Sequence, residues 1–210
     1  MPHVEVAGTA VLVPVKAFAD AKARLSGVLD ASMRARLARW MAERVLAAAG
    51  DLDRYVVCDD DDVAEWAQRC GATVLWQPGV GLNAAVDAAI VDVAERGTTH
   101  VVVAHGDLPR ATDLARFATP ATITLVPDHR GDGTNVLSMP TSIATTSFSV
   151  SYGPASFERH VQAAMATGAM VQVRRDPLLA LDVDTPAELD HPSIREVLPA
   201  WLPTIRANQR

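Results

Sequence analysis

The sequence contains little cysteine and few aromatic residues. Cysteine occurs at only two of the 210 positions, Cys58 and Cys70, and aromatic residues make up 5% of the chain. Two cysteines that do not stand near histidines in the sequence do not form a zinc-binding motif, and they are too few for a disulfide scaffold. We therefore expect two reduced thiols in a core that is built mainly from aliphatic side chains.

The sequence also lacks an excess of positive charge and long hydrophobic runs. Lys and Arg number 19 against 25 Asp and Glu, which gives a formal net charge of −6. A general nucleic-acid-binding protein carries the opposite balance, so we expect no nucleic-acid partner. No run approaches the roughly 18 apolar residues of a membrane span, and no basic segment precedes the first apolar run. We expect a cytoplasmic protein without membrane contact, folded as a single domain over residues 1–210 with a peripheral tail after about residue 199.

Apolar patterns alternate along the first half of the chain in the way that is typical of an α/β fold. Buried strands are predicted at residues 9–15, 55–58, 73–76 and 98–104, and helices at 32–49, 62–70 and 82–93. Strands separated by helices form right-handed parallel units. Ligands then bind at the carboxyl ends of the strands, so we expect functional residues in the loops that follow them.

The second half of the chain is less regular. Strands are predicted at 121–126, 135–139 and 178–181, and the pairing here is expected to become antiparallel. Gly153 and Pro154 introduce a helix that extends to about Thr167, because proline is favoured in a first helical turn. Thr185 and Glu188 have the spacing of a capping box, which predicts another helix directly after Asp184.

Positive charge is concentrated in the loop after the first predicted strand. Lys16, Lys22 and Arg24 lie within nine positions there. Ammonium and guanidinium groups form charge-assisted hydrogen bonds with phosphate oxygens, so this loop is suited to a polyphosphate. The loop has no Walker-type glycine pattern, and three cations in a loop are more often a solvated surface than a binding site.

Three aspartates are the candidate metal ligands. Asp107 follows the strand predicted at 98–104, and Asp182 and Asp184 are two positions apart in a segment predicted to be extended. Side chains two apart in such a segment point to the same side, so both carboxylates can approach one cation. Carboxylates of this kind favour Mg²⁺ bound together with substrate phosphates. The alternative is that Asp182 and Asp184 only cap a turn.

Two further segments carry candidate binding residues. Gly81, Leu82 and Asn83 precede a helix and could lie against a base or ribose, although a plain turn explains them as well. A second group combines a tight loop with a predicted helix N-terminus, which is suited to an anion, although a serine there is often only a local hydrogen-bonding residue. Its members are Thr134, Gly153 and Ser156. No HExxH or GxSxG pattern accompanies them, so hydrolase chemistry is not indicated.

Six segments in order resemble a known family. They are PVKAFADAKARLS, GLNAAV, GDLP, GDGTNVL, YGPASFERH and LDVDTPAEL. Together they resemble the CofC/FbiD guanylyltransferases of coenzyme F-420 biosynthesis, from about Val11 to Leu189. This resemblance implies a three-layer Rossmann-like nucleotidyltransferase fold with a mostly parallel central sheet.

The resemblance also implies an activity and a set of roles. A guanylyltransferase of this family moves GMP from GTP to the phosphate of a small phospho-acid and releases pyrophosphate. Phosphoenolpyruvate is our first choice of acceptor, with 2-phospho-L-lactate and 3-phosphoglycerate as alternatives. The implied roles are Mg²⁺ binding by Asp107, Asp182 and Asp184, nucleotide binding by Gly81, Leu82, Asn83 and Asp107, triphosphate contact by Lys16, Lys22 and Arg24, and acceptor binding by Thr134, Gly153 and Ser156.

The expected partners are therefore GTP and a small phospho-acid. We also expect a homodimer, and transfer of an unstable product to the next enzyme of the pathway. Two other functions are compatible with the residues alone. A glycosyltransferase would use the aspartates and a metal to turn over a nucleotide sugar, whereas a non-catalytic sensor would bind GTP without forming pyrophosphate.

Overall fold

The computed structural model describes residues 7–203, which form a seven-stranded sheet covered by helices. The strands are β1 (Thr9–Pro14), β2 (Asp53–Cys58), β3 (Thr73–Trp76), β4 (His100–Ala104), β5 (Thr122–Pro127), β6 (Thr134–Pro140) and β7 (Met170–Val173). The helices are α1 (Ala31–Ala47), α2 (Asp61–Arg69), α3 (Leu82–Glu95), α4 (Thr141–Ala144), α5 (Ser156–Ala166), α6 (Pro186–Leu189) and α7 (Pro192–Arg195). Short 3-10 helices occupy Phe18–Asp20, Ala23–Leu25 and Leu114–Phe117.

The sheet is parallel except for one strand. Its order is β3-β2-β1-β4-β6-β5-β7, and only β6 runs against its neighbours β4 and β5. The predicted mostly parallel α/β fold is therefore confirmed, and so is the antiparallel pairing expected in the second half. Because β6 is reversed, its first residue lies at the same edge of the sheet as the last residues of β1 and β4.

The core consists of a layer on each face of the sheet. Along β1, Val11 and Val13 contact the layer beneath α1 and α2, whereas Ala10 and Leu12 contact the layer beneath α3. Strands buried on both faces read as continuous apolar runs, which explains why β1 and β4 were recognised in the sequence. A third cluster joins α1 to α6 and α7.

The end of the described chain packs against α1. Leu202 is 9% exposed within the third cluster, and the guanidinium of Arg36 lies 4.0 Å from the centre of the Trp201 ring. As far as residue 203, the segment expected to be a peripheral tail thus packs apolar side chains against α1. Residues 204–210 lie outside the described part.

The strand predicted at 178–181 is wrong, and β7 was missed. Residues 178–181 form a turn and a loop, since Asp176 accepts a hydrogen bond from the Leu178 amide and Leu179 is fully buried as a loop residue. The edge strand pairs instead through Met170–Val173, three of whose four residues are exposed. Three of these four residues are apolar, but a run of four residues is too short for its periodicity to distinguish a strand from a loop.

The helix starts follow from their capping residues. The Asp30 carboxylate accepts from the Met33 amide at 2.8 Å, and Asp60 accepts from Val63 at 3.0 Å, so α2 begins one residue before the predicted start. Thr185 and Glu188 form the predicted capping box. Cys58 and Cys70 are free thiols, as expected. Within residues 7–203, no helix is long and apolar enough to cross a membrane.

Candidate active site

The structure brings the three predicted aspartates together beyond the end of β4. Asp107 follows β4 by three residues, and its carbonyl accepts a hydrogen bond of 3.2 Å from the Val183 amide. This bond holds the segment with Asp182 and Asp184 beside Asp107. Each of the three carboxylates offers an oxygen within 4.8 Å of the others. The cluster therefore lies where β1 and β4 adjoin, at the point where the strand order reverses and ligands of this fold class bind.

Lys22 reaches into this aspartate cluster from the loop after β1. Its ammonium donates to Asp107 Oδ2 at 2.8 Å and to Asp184 Oδ1 at 2.7 Å, and its side chain is only 9% exposed. Arg24 is more distant, with Nη1 3.9 Å from Asp184 Oδ2, and is largely exposed. Lys16 is exposed and follows β1. The structure thus joins Lys22 and Arg24 to the aspartates and leaves Lys16 at the rim.

The charges within the cluster shift its pKa values in different directions. Burial opposes ionisation of Asp107, but the Lys22 ammonium, His105 and the hydrogen bonds to the carboxylate together lower the pKa of that carboxyl. Burial and then repulsion from Asp107 raise the pKa of Asp182 to about 6. For Lys22, burial is outweighed by the two carboxylates, and its pKa is raised. Lys22 contacts Asp107 and Asp184, and no cation of the described residues lies within 4 Å of the Asp182 carboxylate, so the cluster keeps uncompensated negative charge.

The aspartate cluster fits a divalent cation. Asp107 Oδ1 is buried and has no hydrogen-bond partner within the described residues, which is rare for a buried polar atom. Carboxylate oxygens are the ligands that hard divalent ions prefer. Asp107, Asp182 and Asp184 can therefore hold a metal ion that would satisfy the unpaired oxygen and the excess charge.

Three residues that the sequence analysis did not place in the site position its aspartates. The Asn135 amide donates to the carbonyls of Leu179 (2.8 Å) and Ala180 (3.2 Å) and to Asp182 Oδ1 (3.4 Å). Glu188 Oε2 accepts from the Asp184 and Thr185 amides at 2.8 Å each. Arg130 Nη2 donates to the other oxygen of Glu188.

A sequence signal existed for two of these residues. Asn135 directly follows the GDGT loop, and an amide at the start of a buried strand requires hydrogen-bond partners. Glu188 was recognised only as a capping residue, although the same carboxylate holds the backbone of Asp184. The contact of Arg130 with Glu188 spans 58 positions, and no local pattern predicts it.

The predicted acceptor residues also lie together. Thr134 begins β6, and its amide donates to Ser156 Oγ at 3.2 Å, at the first residue of α5. Asp132 fixes the same helix end, because its carboxylate accepts from the Ala155 amide (3.1 Å) and its carbonyl accepts from Phe157 (2.9 Å). Gly153 is exposed, with a φ of +119°. The amides of Ala155, Ser156 and Phe157 are thus already bonded, and the hydroxyls of Thr134 and Ser156 are further donors at this helix start.

The segment proposed to read the base has a structural partner. Asn83 Oδ1 accepts from the Tyr152 amide at 2.7 Å, and Asn83 Nδ2 donates to the Tyr152 carbonyl at 3.3 Å. Gly81 precedes α3 with a φ of +76°, and Leu82 packs against the core beneath α3. The structure therefore ties Asn83 to the segment before Gly153, and its contact with a nucleotide stays a prediction.

Comparison with known proteins gives a consistent result. The model of a family described as guanylyl transferase CofC like matches residues 9–194. A phosphoenolpyruvate guanylyltransferase of Rubrobacter xylanophilus is 37% identical over 187 residues, which cover 85% of this chain and 90% of the relative. A 2-phospho-L-lactate guanylyltransferase of Methanothermobacter thermautotrophicus is 32% identical, with 86% of this chain and 82% of the relative covered.

The fold has counterparts among solved structures. A nucleotidyl transferase from Methanothermobacter thermautotrophicus superposes with a TM-score of 0.63 at 13% identity, covering 90% of this chain and 95% of the other. That likeness shows the nucleotidyltransferase fold alone. The family is shown by the family model and by the relatives at 37% and 32% identity. The chain belongs to the family of CofC-like guanylyl transferases.

Proposed function

We propose that this protein transfers GMP from GTP to the phosphate of phosphoenolpyruvate and releases pyrophosphate, as a step of coenzyme F-420 biosynthesis. The observation that carries the proposal is the aspartate cluster with Lys22 at the β1 and β4 ends, in a chain of a guanylyltransferase family. We favour phosphoenolpyruvate over 2-phospho-L-lactate and 3-phosphoglycerate as the acceptor. The chain is 37% identical to the phosphoenolpyruvate guanylyltransferase described above and 32% identical to the 2-phospho-L-lactate guanylyltransferase.

The reaction needs positioning and charge neutralisation more than it needs a protein nucleophile. A phosphate oxygen of the acceptor attacks the α-phosphorus of GTP, the bond from that phosphorus to the bridging oxygen of the β-phosphate breaks, and pyrophosphate leaves. A phosphate monoester is largely dianionic at neutral pH, so no general base has to remove a proton. Holding the two phosphates in line therefore supplies much of the acceleration.

The aspartate cluster and the basic loop would both neutralise negative charge during the reaction. Asp107, Asp182 and Asp184 would hold Mg²⁺, which supplies charge neutralisation at the nucleotide phosphates. The Lys22 ammonium lies between Asp107 and Asp184, within reach of a phosphate bound over the cluster. Together with Lys16 and Arg24 it offsets the charge that develops on the departing pyrophosphate.

The acceptor is proposed to bind beside Thr134, Gly153 and Ser156. The Ser156 hydroxyl is at the start of an eleven-residue helix, where an anion is favoured. The β5–β6 loop is tied to this helix start through Asp132 and Thr134. An acceptor held there lies on the antiparallel side of the aspartate cluster, and GTP lies on the β1 side.

A pyrophosphate-release assay tests the function. The protein is incubated with GTP and Mg²⁺ and with each of the three phospho-acids in turn, and the product is identified by ³¹P NMR. We expect fastest turnover with phosphoenolpyruvate and a new phosphoanhydride signal. ATP in place of GTP should give much slower turnover.

The test variant is Asp107→Asn, and its matched control is Asp51→Asn. Asp107→Asn should lose most activity with an unchanged circular dichroism spectrum, whereas Asp51 lies on the exposed turn after α1 and its variant should remain active. Release of free nucleoside diphosphate from a nucleotide sugar, or GTP binding without pyrophosphate, would contradict the proposal.

A further inference from the structure

The hydroxyls of Thr134 and Ser156 are neighbours at the proposed acceptor site and are candidate donors to a ligand. Ser156 Oγ accepts the Thr134 amide at 3.2 Å, and Thr134 Oγ1 lies 2.9 Å from His160 Nδ1. Over residues 7–203, neither hydroxyl donates to a protein acceptor unless Thr134 does so to the imidazole. The direction of the bond between Thr134 and His160 therefore decides what the Thr134 hydroxyl can offer to a ligand.

The other nitrogen of the imidazole settles that direction. His160 Nε2 lies 2.7 Å from the Ser151 amide nitrogen, and a backbone N–H can only donate. Nε2 must therefore be unprotonated. In a neutral imidazole the proton is then on Nδ1, so Nδ1–H donates to Thr134 Oγ1. The Thr134 hydroxyl has its own proton free to donate elsewhere.

The Ser151 amide is held in place by the residue that precedes His160. Arg159 Nε donates to Ser151 Oγ at 2.7 Å, and Arg159 Nη2 donates to the Ser151 carbonyl at 2.7 Å. Arg159 and His160, two consecutive residues of α5, thus both form hydrogen bonds with Ser151. The amide cannot turn away from the imidazole without breaking these bonds, so the tautomer is fixed by the fold.

Packing alone does not explain a histidine at this position. His160 is 0% exposed, with ring centroids 4.9 Å from Tyr152 and 6.0 Å from Phe148. An apolar ring would fill the same space without the cost of burying two nitrogens. Burial lowers the pKa of His160 to about 4, which agrees with a neutral ring at pH 7. Its two hydrogen bonds are what the imidazole provides.

We propose that His160 is a positioning residue of the acceptor site, which commits the Thr134 hydroxyl proton to an anionic oxygen of the phospho-acid. The inference rests on the proposed function for the identity of the acceptor, and on the fold alone for the tautomer. A hydroxyl whose oxygen already accepts from Nδ1–H acts as a donor, and a donor favours a phosphate or carboxylate oxygen over a neutral group.

The tautomer is tested on the free protein by ¹⁵N NMR of the imidazole nitrogens at pH 7, with His160 assigned from the spectrum of His160→Gln. We expect protonated Nδ1 and unprotonated Nε2. A protonated Nε2, or an imidazolium, would overturn the proposal. This measurement needs no substrate, so it remains decisive even if the proposed reaction is not observed.

Kinetics test the action through Thr134. His160→Gln removes the Nδ1 donor, and we expect the KM for phosphoenolpyruvate to rise about tenfold, which corresponds to one lost hydrogen bond. The KM for GTP should change less than twofold. His160→Asn keeps an amide near the Nδ1 position and should recover part of the loss.

A double-mutant cycle separates positioning from general structural support. If His160 acts through Thr134, then His160→Gln added to Thr134→Val should raise the acceptor KM little beyond Thr134→Val alone. Fully additive effects, or equal rises in the KM values of GTP and the acceptor, would refute the proposal. Thermal unfolding of each variant checks that the fold is retained.

Discussion

Replacing Asp182 by asparagine should stabilise the metal-free protein while it removes activity. The pKa of Asp182 is raised from 3.8 to about 6 by burial and by the Asp107 charge. The folded protein therefore holds this proton to a higher pH than the unfolded chain does, and stability falls as the pH rises from about 4 through about 6. Asparagine keeps the shape and carries no charge, so it removes that loss.

The size of the effect follows from the shift. Two pH units correspond to about 3 kcal/mol, and partial solvent exposure of Asp182 reduces this to about 1–2 kcal/mol at pH 7.5. For a chain of this size that is a gain in Tm of about 3–6 °C. At pH 4.5, where the folded carboxyl is mostly protonated, the gain should fall to about a third of that value.

The assay is thermal unfolding in EDTA at pH 7.5 and pH 4.5, with Asp51→Asn as the control for loss of an exposed carboxylate. Excess Mg²⁺ at pH 7.5 should stabilise the wild type more than Asp182→Asn, because the variant has lost a charged ligand. If Asp182→Asn is no more stable than the wild type at pH 7.5, or is equally stabilised at both pH values, the negative charge of Asp182 does not destabilise the folded protein and the reasoning is refuted.

Three other substitutions test separate parts of the site. Lys22→Met should lower the Tm of the metal-free protein by about 4–8 °C, because the buried carboxylates lose their counter-ion. Mg²⁺ should raise the Tm of this variant more than that of the wild type, and equal increases in a melting series would count against the prediction. Glu188→Gln should raise the Mg²⁺ concentration for half-maximal activity severalfold, because Asp184 is held less firmly, and an unchanged Mg²⁺ titration would disprove that role. Gly133→Ala should raise the acceptor KM with little change for GTP, because a Cβ there would lie 2.9 Å from Asp128 Oδ2, and steady-state kinetics decide it.

Much of the fold could be predicted from the sequence because its central strands are buried on both faces. Val11 and Val102 are 0% exposed in continuous apolar runs, and the helices between such strands carry clear apolar stripes. The edge could not be predicted in the same way. The strand β7 is defined by its pairing with β5 and not by burial, since Met170 is 71% exposed. Its four residues are too few to show a strand periodicity in the sequence.

The grouping of the candidate site residues was predictable to the extent that they lie at strand ends. Asp107 and Thr134 lie at strand ends, and Asp182 and Asp184 share a side of one segment, so their residue types and places in the chain were informative. The contacts that fix them join distant segments. The bond between His160 and Thr134 spans 26 positions, and its direction depends on the Ser151 amide. A backbone amide leaves no side-chain pattern in the sequence, so this contact could not be predicted.

The reversal of β6 has a consequence for how the acceptor specificity of this protein could be altered. The β5–β6 connection is a hairpin loop closed on itself by Asp128, whose carboxylate accepts from the amides of Arg130, Asp132 and Gly133 at 3.0 Å each. A hairpin loop can be exchanged without moving a crossover helix, whereas the loops after β1 and β4 are each followed by helical segments packed on the sheet. An exchange of the loop at the proposed acceptor site therefore has to keep Arg130, Asp132 and Thr134, which bond to Glu188 and to the start of α5, while the segments after β1 and β4 need not move.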